Sequence, residues 1–169
     1  MIRENLMAEL NEQIKFEIFS ENLYLAMAAY CADQDLDGFA NFFKIQAEEE
    51  KFHAMKIFDY IIERDGRARI SAIDEPQNDF ASILDAFQKA YEHEQFVTKR
   101  IDTLMDLAIE ERDHATVSFL KWFVDEQVEE ESLFRGLIAK LERIGENSAA
   151  LHMLDAELAQ RTFTPEDDA

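Results

Sequence analysis

Residues 47–53 read A-E-E-E-K-F-H and place Glu50 and His53 three residues apart in a segment with the composition of a long helix. At that spacing both side chains leave the same face of a helix. Alternate steps of three and four residues trace an otherwise apolar seam through Phe39, Phe43, Gln46, Glu50, His53, Ile57 and Tyr60. Because an unpaired buried charge is costly, the pair needs a partner in the core, and a metal ion is the candidate.

The composition favours one all-helical domain spanning residues 1–169. A chain of this length with 47% hydrophobic residues can fill a sizeable core, and only four Gly and two Pro leave few tight turns between strands. The single cysteine, Cys31, excludes internal disulfides and paired-cysteine metal sites, and it suits a reducing cytoplasm. The first residues lack the apolar core of a signal peptide, and no run of about 18 apolar residues is present. We therefore expect a cytoplasmic protein.

The chain is strongly acidic, with 37 Asp and Glu against 17 Lys and Arg and a net charge of -20. Such a charge repels the phosphates of nucleic acids and the surfaces of anionic membranes, so neither is an expected partner. Cations are the favoured small partners, although a charge excess spread over several helices also serves solubility.

Hydrophobic periodicity predicts four long helices and a short fifth helix. The predicted ranges are 5–32, 37–64, 82–109, 113–144 and 148–159, and the tail 162–169 is expected to be frayed. Asp37 and Ser148 are the predicted N-caps of the second and fifth helices.

The segment between the second and third predicted helices sustains no helical period. About 17 extended residues can span about 55 Å. A helix of about 28 residues is only about 42 Å long. The segment can therefore return along the whole length of the molecule and make the third helix parallel to the second. The expected architecture is a four-helix bundle with one long crossover.

Polar residues interrupt the apolar seam near the midpoint of every long helix. They are Glu17 in the first helix, Glu50 and His53 in the second, Glu94 in the third, and Gln127 and Glu130 in the fourth. Midpoints of helices of similar length meet at one level in a bundle, so the six groups are predicted to converge in a single layer. Four carboxylates in an apolar core repel one another, whereas two divalent cations neutralise them. Carboxylates with one imidazole suit iron or manganese.

Each of these residues, taken alone, also has an ordinary structural explanation. Glu50 with His53 can be a pair on a helix edge, and Glu94 can be a residue at the boundary of the core. Tyr24 lies two turns after Glu17 on the same face. It can be a core aromatic residue that needs a hydrogen bond, a redox-active neighbour of metals, or both. Cys31 and Trp122 are interpreted as packing residues, and no role is assigned to His93, His114 and His152.

On these residues the sequence resembles the ferritins, specifically the bacterial non-haem type. Ferritin-like di-iron proteins carry one Glu on each of two helices and a Glu-x-x-His on each of the other two. Glu17 and Glu94 match the single carboxylates, and Glu50 with His53 matches the first Glu-x-x-His. The second is replaced by Gln127-x-x-Glu130, as in true ferritins. Lys51 stands where bacterioferritins carry a haem-ligating Met, so no haem is expected.

The resemblance implies an iron-storage ferroxidase. It assigns Glu17, Glu50 and His53 to one iron, makes Glu50 the bridge, gives Glu94 and Glu130 to the second iron, and places Gln127 nearby. It makes Tyr24, Glu50 and Gln127 catalytic, with Fe(II) and O2 or H2O2 as substrates. It also implies a hollow 24-subunit shell that encloses the ferric mineral, with the fifth helix at a fourfold axis.

A third iron position beside the pair is a further implication of the resemblance. It maps onto Glu49, Glu126, Glu129 and Glu130. The spacing agrees, because Glu126, Glu129 and Glu130 share a helix face and Glu49 flanks Glu50. A solvated acidic surface is the alternative explanation for this outer set.

Two other functions remain open for such a bundle. A di-iron peroxidase of the rubrerythrin kind is disfavoured by the absence of rubredoxin cysteines and by the predicted fifth helix. A structural or partner-binding bundle is the other alternative, in which the polar layer only sets the register of the helices.

Overall fold

The computed structural model describes residues 2–165, and this part of the chain folds into five α-helices. They are α1 (Glu4–Asp33), α2 (Asp37–Glu63), α3 (Ile83–Glu110), α4 (His114–Ile144) and α5 (Ser148–Leu158). The predicted all-α fold is confirmed, and every predicted helix end is correct to within one residue. Residues 162–165 of the tail are not helical. The predicted fraying of residues 166–169 lies outside the described residues.

The predicted N-cap of α2 is wrong. Leu36 is the N-cap and makes no side-chain hydrogen bond, while Asp37 is the first helical residue. The reason is the tight turn after α1, where Asp35 adopts a φ of 57° and the Leu36 N–H donates to the Cys31 carbonyl at 3.1 Å. The turn therefore determines where α2 begins, and Asp37 instead brings negative charge to the first turn of the helix, where the helix dipole favours it.

The predicted N-cap of α5 is also wrong, by one residue. Asn147 is the N-cap, and its Oδ1 accepts a hydrogen bond from the Ala150 backbone N–H at 3.0 Å. Ser148 is already the first residue of the helix. Asn and Ser are both good N-caps, so the sequence alone does not choose between neighbouring positions.

Two apolar clusters fill the interior of the four-helix bundle. One joins the first half of α1 to the second halves of α2 and α3 and the first half of α4. The other joins the opposite halves of the same helices and includes part of α5. Hence α2 and α3 run parallel, and residues 64–82 form the one long crossover. No helix within residues 2–165 combines the length and the apolar content required to cross a bilayer.

Helix α5 docks against the beginning of α2. The Phe39 backbone N–H donates to Asp155 Oδ1 at 3.0 Å, and Leu154 and Leu158 are buried. The two backbones approach so closely that a Cβ atom added to Gly38 would lie 1.7 Å from the Asp155 carbonyl oxygen. The position therefore requires glycine because of this close approach.

Replacing Gly38 by Ala is expected to displace α5 and to lower the thermal unfolding midpoint, because the new methyl group would overlap the Asp155 backbone and force α5 out of its packed position. Overpacking of this kind costs about 1–3 kcal/mol. The midpoint can be followed by circular dichroism.

Gly136→Ala is the matched control for this prediction. A Cβ atom at Gly136, inside α4, has nothing within 4 Å. Ala is favoured over Gly in a helix by up to about 1 kcal/mol. The control should therefore keep or raise the midpoint. Equal midpoints for the two variants would contradict the proposed close packing of α5.

Candidate metal centre

A layer of polar side chains separates the two apolar clusters at mid-height of the bundle. The structure brings together all six residues of the predicted layer, and each is at most 4% exposed. They are Glu17 from α1, Glu50 and His53 from α2, Glu94 from α3, and Gln127 and Glu130 from α4. The four long helices thus each contribute to a single buried polar centre.

Glu17, Glu50 and His53 form a group of possible metal ligands. One ligand atom from each lies within 4.8 Å of the other two. His53 Nδ1 is 3.8 Å from an oxygen of Glu17 and 3.8 Å from an oxygen of Glu50, which is longer than a hydrogen bond. Glu17 Oε2 is buried and has no hydrogen-bond partner among the described residues. A buried carboxylate oxygen is normally satisfied, so this group fits a metal ion.

The other half of the layer is organised around Glu94. Tyr24 donates its hydroxyl proton to Glu94 Oε1, and Gln127 Nε2 donates to Glu94 Oε2 at 3.1 Å. Gln127 Nε2 also lies 3.2 Å from the Glu94 carbonyl oxygen. Tyr24 therefore finds its hydrogen-bond partner on α3. This carboxylate is held on both oxygens by neutral donors.

Two glutamines in the layer were given no role by the sequence analysis. Gln13 Nε2 donates to Glu17 Oε1 at 2.8 Å, and Gln46 Nε2 donates to Glu130 Oε2 at 2.9 Å. Both side chains are fully buried. The available signal was a glutamine one helical turn before a buried carboxylate, Gln13 before Glu17 and Gln46 before Glu50. That signal does not reveal that Gln46 bonds across to α4.

Burial acts against the ionised form of most carboxylates in this layer. Burial and the charge of Glu94 raise the pKa of Glu50 well above its ordinary value, although His53 opposes this shift. Burial raises the pKa of Glu94 to about 7 in spite of the hydrogen bonds from Tyr24 and Gln127. Burial and then the charge of Glu94 raise the pKa of Glu130 to about 8. The layer is therefore short of positive charge.

His53 supplies the only imidazole of the layer. Burial lowers its pKa, but the interactions with the nearby carboxylates of Glu17 and Glu50 outweigh burial and raise the pKa well above the ordinary value. The net pKa shift of Glu17 is downward. Burial alone would raise its pKa, but the interactions with His53 outweigh burial. Burial and the charge of Glu94 raise the pKa of Tyr24 well above the ordinary value, so its phenol remains protonated. One imidazolium cannot balance four carboxylates.

The outer carboxylates line a neighbouring cavity of about 230 Å³. Glu49, Glu126 and Glu129 contribute to its wall, together with His53 and Trp122. His53 Nε2 lies 3.9 Å from Glu126 Oε1, so this imidazole lies between the buried layer and the cavity. Glu130, which the sequence analysis assigned to both sets, is buried with the inner group.

Arg161 was not anticipated at this cavity. Its Nη2 lies 2.9 and 3.2 Å from the two carboxylate oxygens of Glu49. The cavity therefore differs from a simple solvated acidic surface, because one of its carboxylates is engaged by a cation from the segment just after α5.

The three histidines without an assigned role occupy different environments. His93 Nε2 lies 2.7 Å from Ser20 Oγ, between α3 and α1, and burial lowers its pKa to about 4. His114 and His152 are exposed at the starts of α4 and α5. None of the three belongs to the Glu17, Glu50 and His53 group.

Comparison with known proteins gives a consistent result over nearly the whole chain. A model of the ferritin-like domain matches residues 7–144. A bacterial non-heme ferritin of Staphylococcus aureus is 48% identical over 166 residues, which cover 98% of this chain and 100% of that protein. A bacterial non-heme ferritin of Staphylococcus saprophyticus is 47% identical over 163 residues, covering 96% and 98%. An engineered closed form of the Archaeoglobus fulgidus ferritin superposes with a TM-score of 0.96 at 48% identity, covering 97% and 100%.

The metal-free protein is expected to lose stability as the pH rises. The pKa values of Glu94, about 7, and Glu130, about 8, lie above the ordinary value of 4.5. A pKa raised by folding adds stability that is complete below the unfolded-state pKa and is lost as the pH rises through the folded-state pKa. The free energy of unfolding should fall by a few kcal/mol between about pH 5 and about pH 9. Urea unfolding followed by Trp122 fluorescence measures it.

A variant carrying Glu94→Gln and Glu130→Gln should show a much smaller decline, because neither amide has to ionise. A control carrying Glu48→Gln and Glu92→Gln changes two exposed carboxylates on the same helices, α2 and α3, and should decline like the unchanged protein. A flat pH profile for the unchanged protein would argue against a strained carboxylate layer.

Proposed function

The chain belongs to the ferritin family, and on that premise we propose that it stores iron after oxidising Fe(II) in the polar layer of its bundle. The observation that carries the proposal is the buried group of Glu17, Glu50 and His53, with donor atoms within 4.8 Å of one another. Oxygen-rich ligand sets with one imidazole suit iron. The net charge of -20 attracts cations to the protein.

We assign two Fe(II) ions to the layer as substrates. Glu17, Glu50 and His53 would hold the first ion. Glu50 would bridge to the second, which Glu94 and Glu130 would hold with Gln127 beside it. Each Fe(II) gives up one electron, so the pair supplies the two electrons that, with two protons, reduce O2 to H2O2 or H2O2 to two waters. The carboxylate oxygens favour the harder Fe(III) product.

The surrounding side chains prepare the carboxylates for this task. Gln13 and Gln46 each orient one carboxylate through an N–H donor, and the Tyr24 O–H and the Gln127 N–H orient Glu94. Neutral donors fix the direction of a carboxylate without neutralising it. Cation binding should therefore release the protons that the raised pKa values retain, because ligands must be deprotonated. We accordingly assign Tyr24 and Gln127 supporting catalytic roles beside Glu50.

A third iron is proposed at the outer cavity, held by Glu49, Glu126 and Glu129 with Glu130 at its inner edge. His53 contacts both sides, with Nδ1 near Glu17 and Glu50 and Nε2 near Glu126. This arrangement supports a short path by which iron passes between the layer and the outer cavity.

Storage requires an enclosed space, which one 19.7 kDa bundle does not provide. We therefore propose assembly into a hollow shell of 24 subunits, with α5 near the fourfold axis. Several large apolar side chains lie exposed on the single subunit and are candidates for subunit contacts, namely Leu25, Ile62, Ile109, Val128 and Met153. The single, buried Cys31 is consistent with a cytoplasmic location.

Replacing Glu50 by Gln is expected to lower the initial rate of Fe(II) oxidation by about tenfold or more, since the proposed bridge loses its charge and one oxygen ligand. Stopped-flow absorbance of the ferric product measures the rate. Glu48→Gln is the matched control, because Glu48 is exposed on the same helix two residues away. An unchanged rate for Glu50→Gln would rule out the proposed centre.

The mass of the particle before and after aerobic addition of Fe(II) tests assembly and storage together. We expect a large homo-oligomer whose mass rises far beyond the few iron ions per subunit that the proposed sites hold. Analytical ultracentrifugation of both samples measures this. A monomer that retains only two iron ions per chain would contradict the storage function.

A further inference from the structure

We propose that Arg161 is a cation fixed at the edge of the outer cavity, where it competes with Fe(II) for Glu49 and thereby sets the affinity of the outer site. The role of Arg161 rests on the outer iron site proposed above and adds a residue that regulates it.

The contact between Arg161 and Glu49 is partly buried and well oriented. Arg161 Nη2 lies 2.9 and 3.2 Å from the two oxygens of Glu49. The side chains are only 21% and 16% exposed, and the guanidinium carbon lies 4.5 Å from the centroid of the Phe42 ring. A charge-assisted hydrogen bond over an aromatic face is more persistent than an ordinary surface ion pair.

The fold holds Arg161 in this place from both sides. Asn41 Nδ2 donates to the carbonyl oxygens of Leu158 and Arg161, at 3.0 and 3.1 Å. The Phe163 ring packs against Phe52 of α2, with centroids 5.9 Å apart. The segment 161–164 is thus fastened along α2, and its residues 162–164 form one wall of the outer cavity. The position of the guanidinium follows from these contacts.

The opposite wall of the cavity is suited to a cation. Glu126, Glu129 and His53 line it, and His53 is nearly fully buried with Nε2 at 3.9 Å from Glu126 Oε1. Because His53 Nδ1 faces Glu17 and Glu50 of the inner layer, the carboxylates supply the ligands on the side of the outer cavity. Two cations lie at this cavity, the Arg161 guanidinium and the Lys56 ammonium, which is 4.8 Å from the centroid of the Trp122 ring. Three carboxylates still outnumber them, so a divalent cation is attracted to the cavity.

Arg161 and an incoming Fe(II) ion require the same oxygen atoms. The Glu49 carboxylate must leave Arg161 before it binds iron, or the guanidinium stays and repels the ion. The apparent affinity equals the intrinsic affinity multiplied by the fraction of time that Glu49 is free of Arg161. If the pair is formed about nine tenths of the time, the loss is about tenfold. An outer iron ion held weakly in this way dissociates readily from the outer cavity.

A second arginine provides a matched control. Arg100 Nη2 lies 3.0 Å from Glu9 Oε2, its guanidinium carbon is 4.8 Å from the Phe16 ring, and its side chain is 20% exposed. The exposure of the guanidinium and its aromatic contact resemble those of Arg161, but Arg100 contacts one carboxylate oxygen and its pair joins α3 to α1 away from the outer cavity. Arg100→Gln therefore changes the net charge equally without removing the competitor.

The experiment is a calorimetric titration of Fe(II), without oxygen, into the assembled metal-free protein. Arg161→Gln should tighten the weakest bound ion by about tenfold and leave the tighter inner ions unchanged. Arg161→Lys keeps the charge but loses the planar fork, so a smaller tightening is expected. Arg100→Gln should behave like the unchanged protein. If Arg161→Gln fails to assemble, the Arg161→Lys result decides in its place.

An outer ion bound equally or more weakly by the Arg161 variants would overturn the proposal, and so would an equal effect in Arg100→Gln. Glu126→Gln separates this failure from failure of the outer site. If Glu126→Gln abolishes the weakest ion while the Arg161 variants leave it unchanged, only the role of Arg161 is refuted. If Glu126→Gln leaves that ion unaffected, the outer site and the role of Arg161 are both refuted, while the inner centre stands.

Discussion

The cost of holding four carboxylates in an apolar core is the constraint on which the rest of this structure depends. Glu17, Glu50, Glu94 and Glu130 lie between two apolar clusters that keep water away from them. Ionisation is unfavourable there, which appears as the raised pKa values of Glu50, Glu94 and Glu130. Apolar side chains at these positions would make the bundle more stable than buried carboxylates do. Their presence at the centre of the bundle is consistent with a centre for cations.

The inner layer and the outer cavity are organised by donors of different charge. Gln13, Gln46, Gln127 and Tyr24 are neutral, and they orient the inner carboxylates without occupying them as a cation does. The outer carboxylate Glu49 is instead held by the charged Arg161. A neutral donor and a metal ion can act on one carboxylate together, whereas a guanidinium and a metal ion compete. Tight binding inside and weak binding outside would follow from this difference.

The docking of α5 connects this outer cavity with the end of the bundle. Gly38 admits the α5 backbone, and Asp155 accepts the hydrogen bond of Phe39 at the start of α2. Asn41, one turn later, holds the chain as it leaves α5 toward Arg161. Helix α5 is also a candidate for contacts between subunits. A shift of α5 on assembly would therefore move the segment that forms one wall of the cavity.

The sequence by itself determined the helices, the crossover and the height of each polar group. The 3.6-residue period and the scarcity of Gly and Pro are local properties, so they fix which side chains face the core and how far along its helix each one lies. The tertiary structure alone decided the partners: Gln46 meets Glu130 on α4, Tyr24 meets Glu94 on α3, and Arg161 meets Glu49 on α2. Such pairings depend on the rotation and spacing of packed helices and on the rotamers chosen across the gap, which no periodicity within one segment specifies.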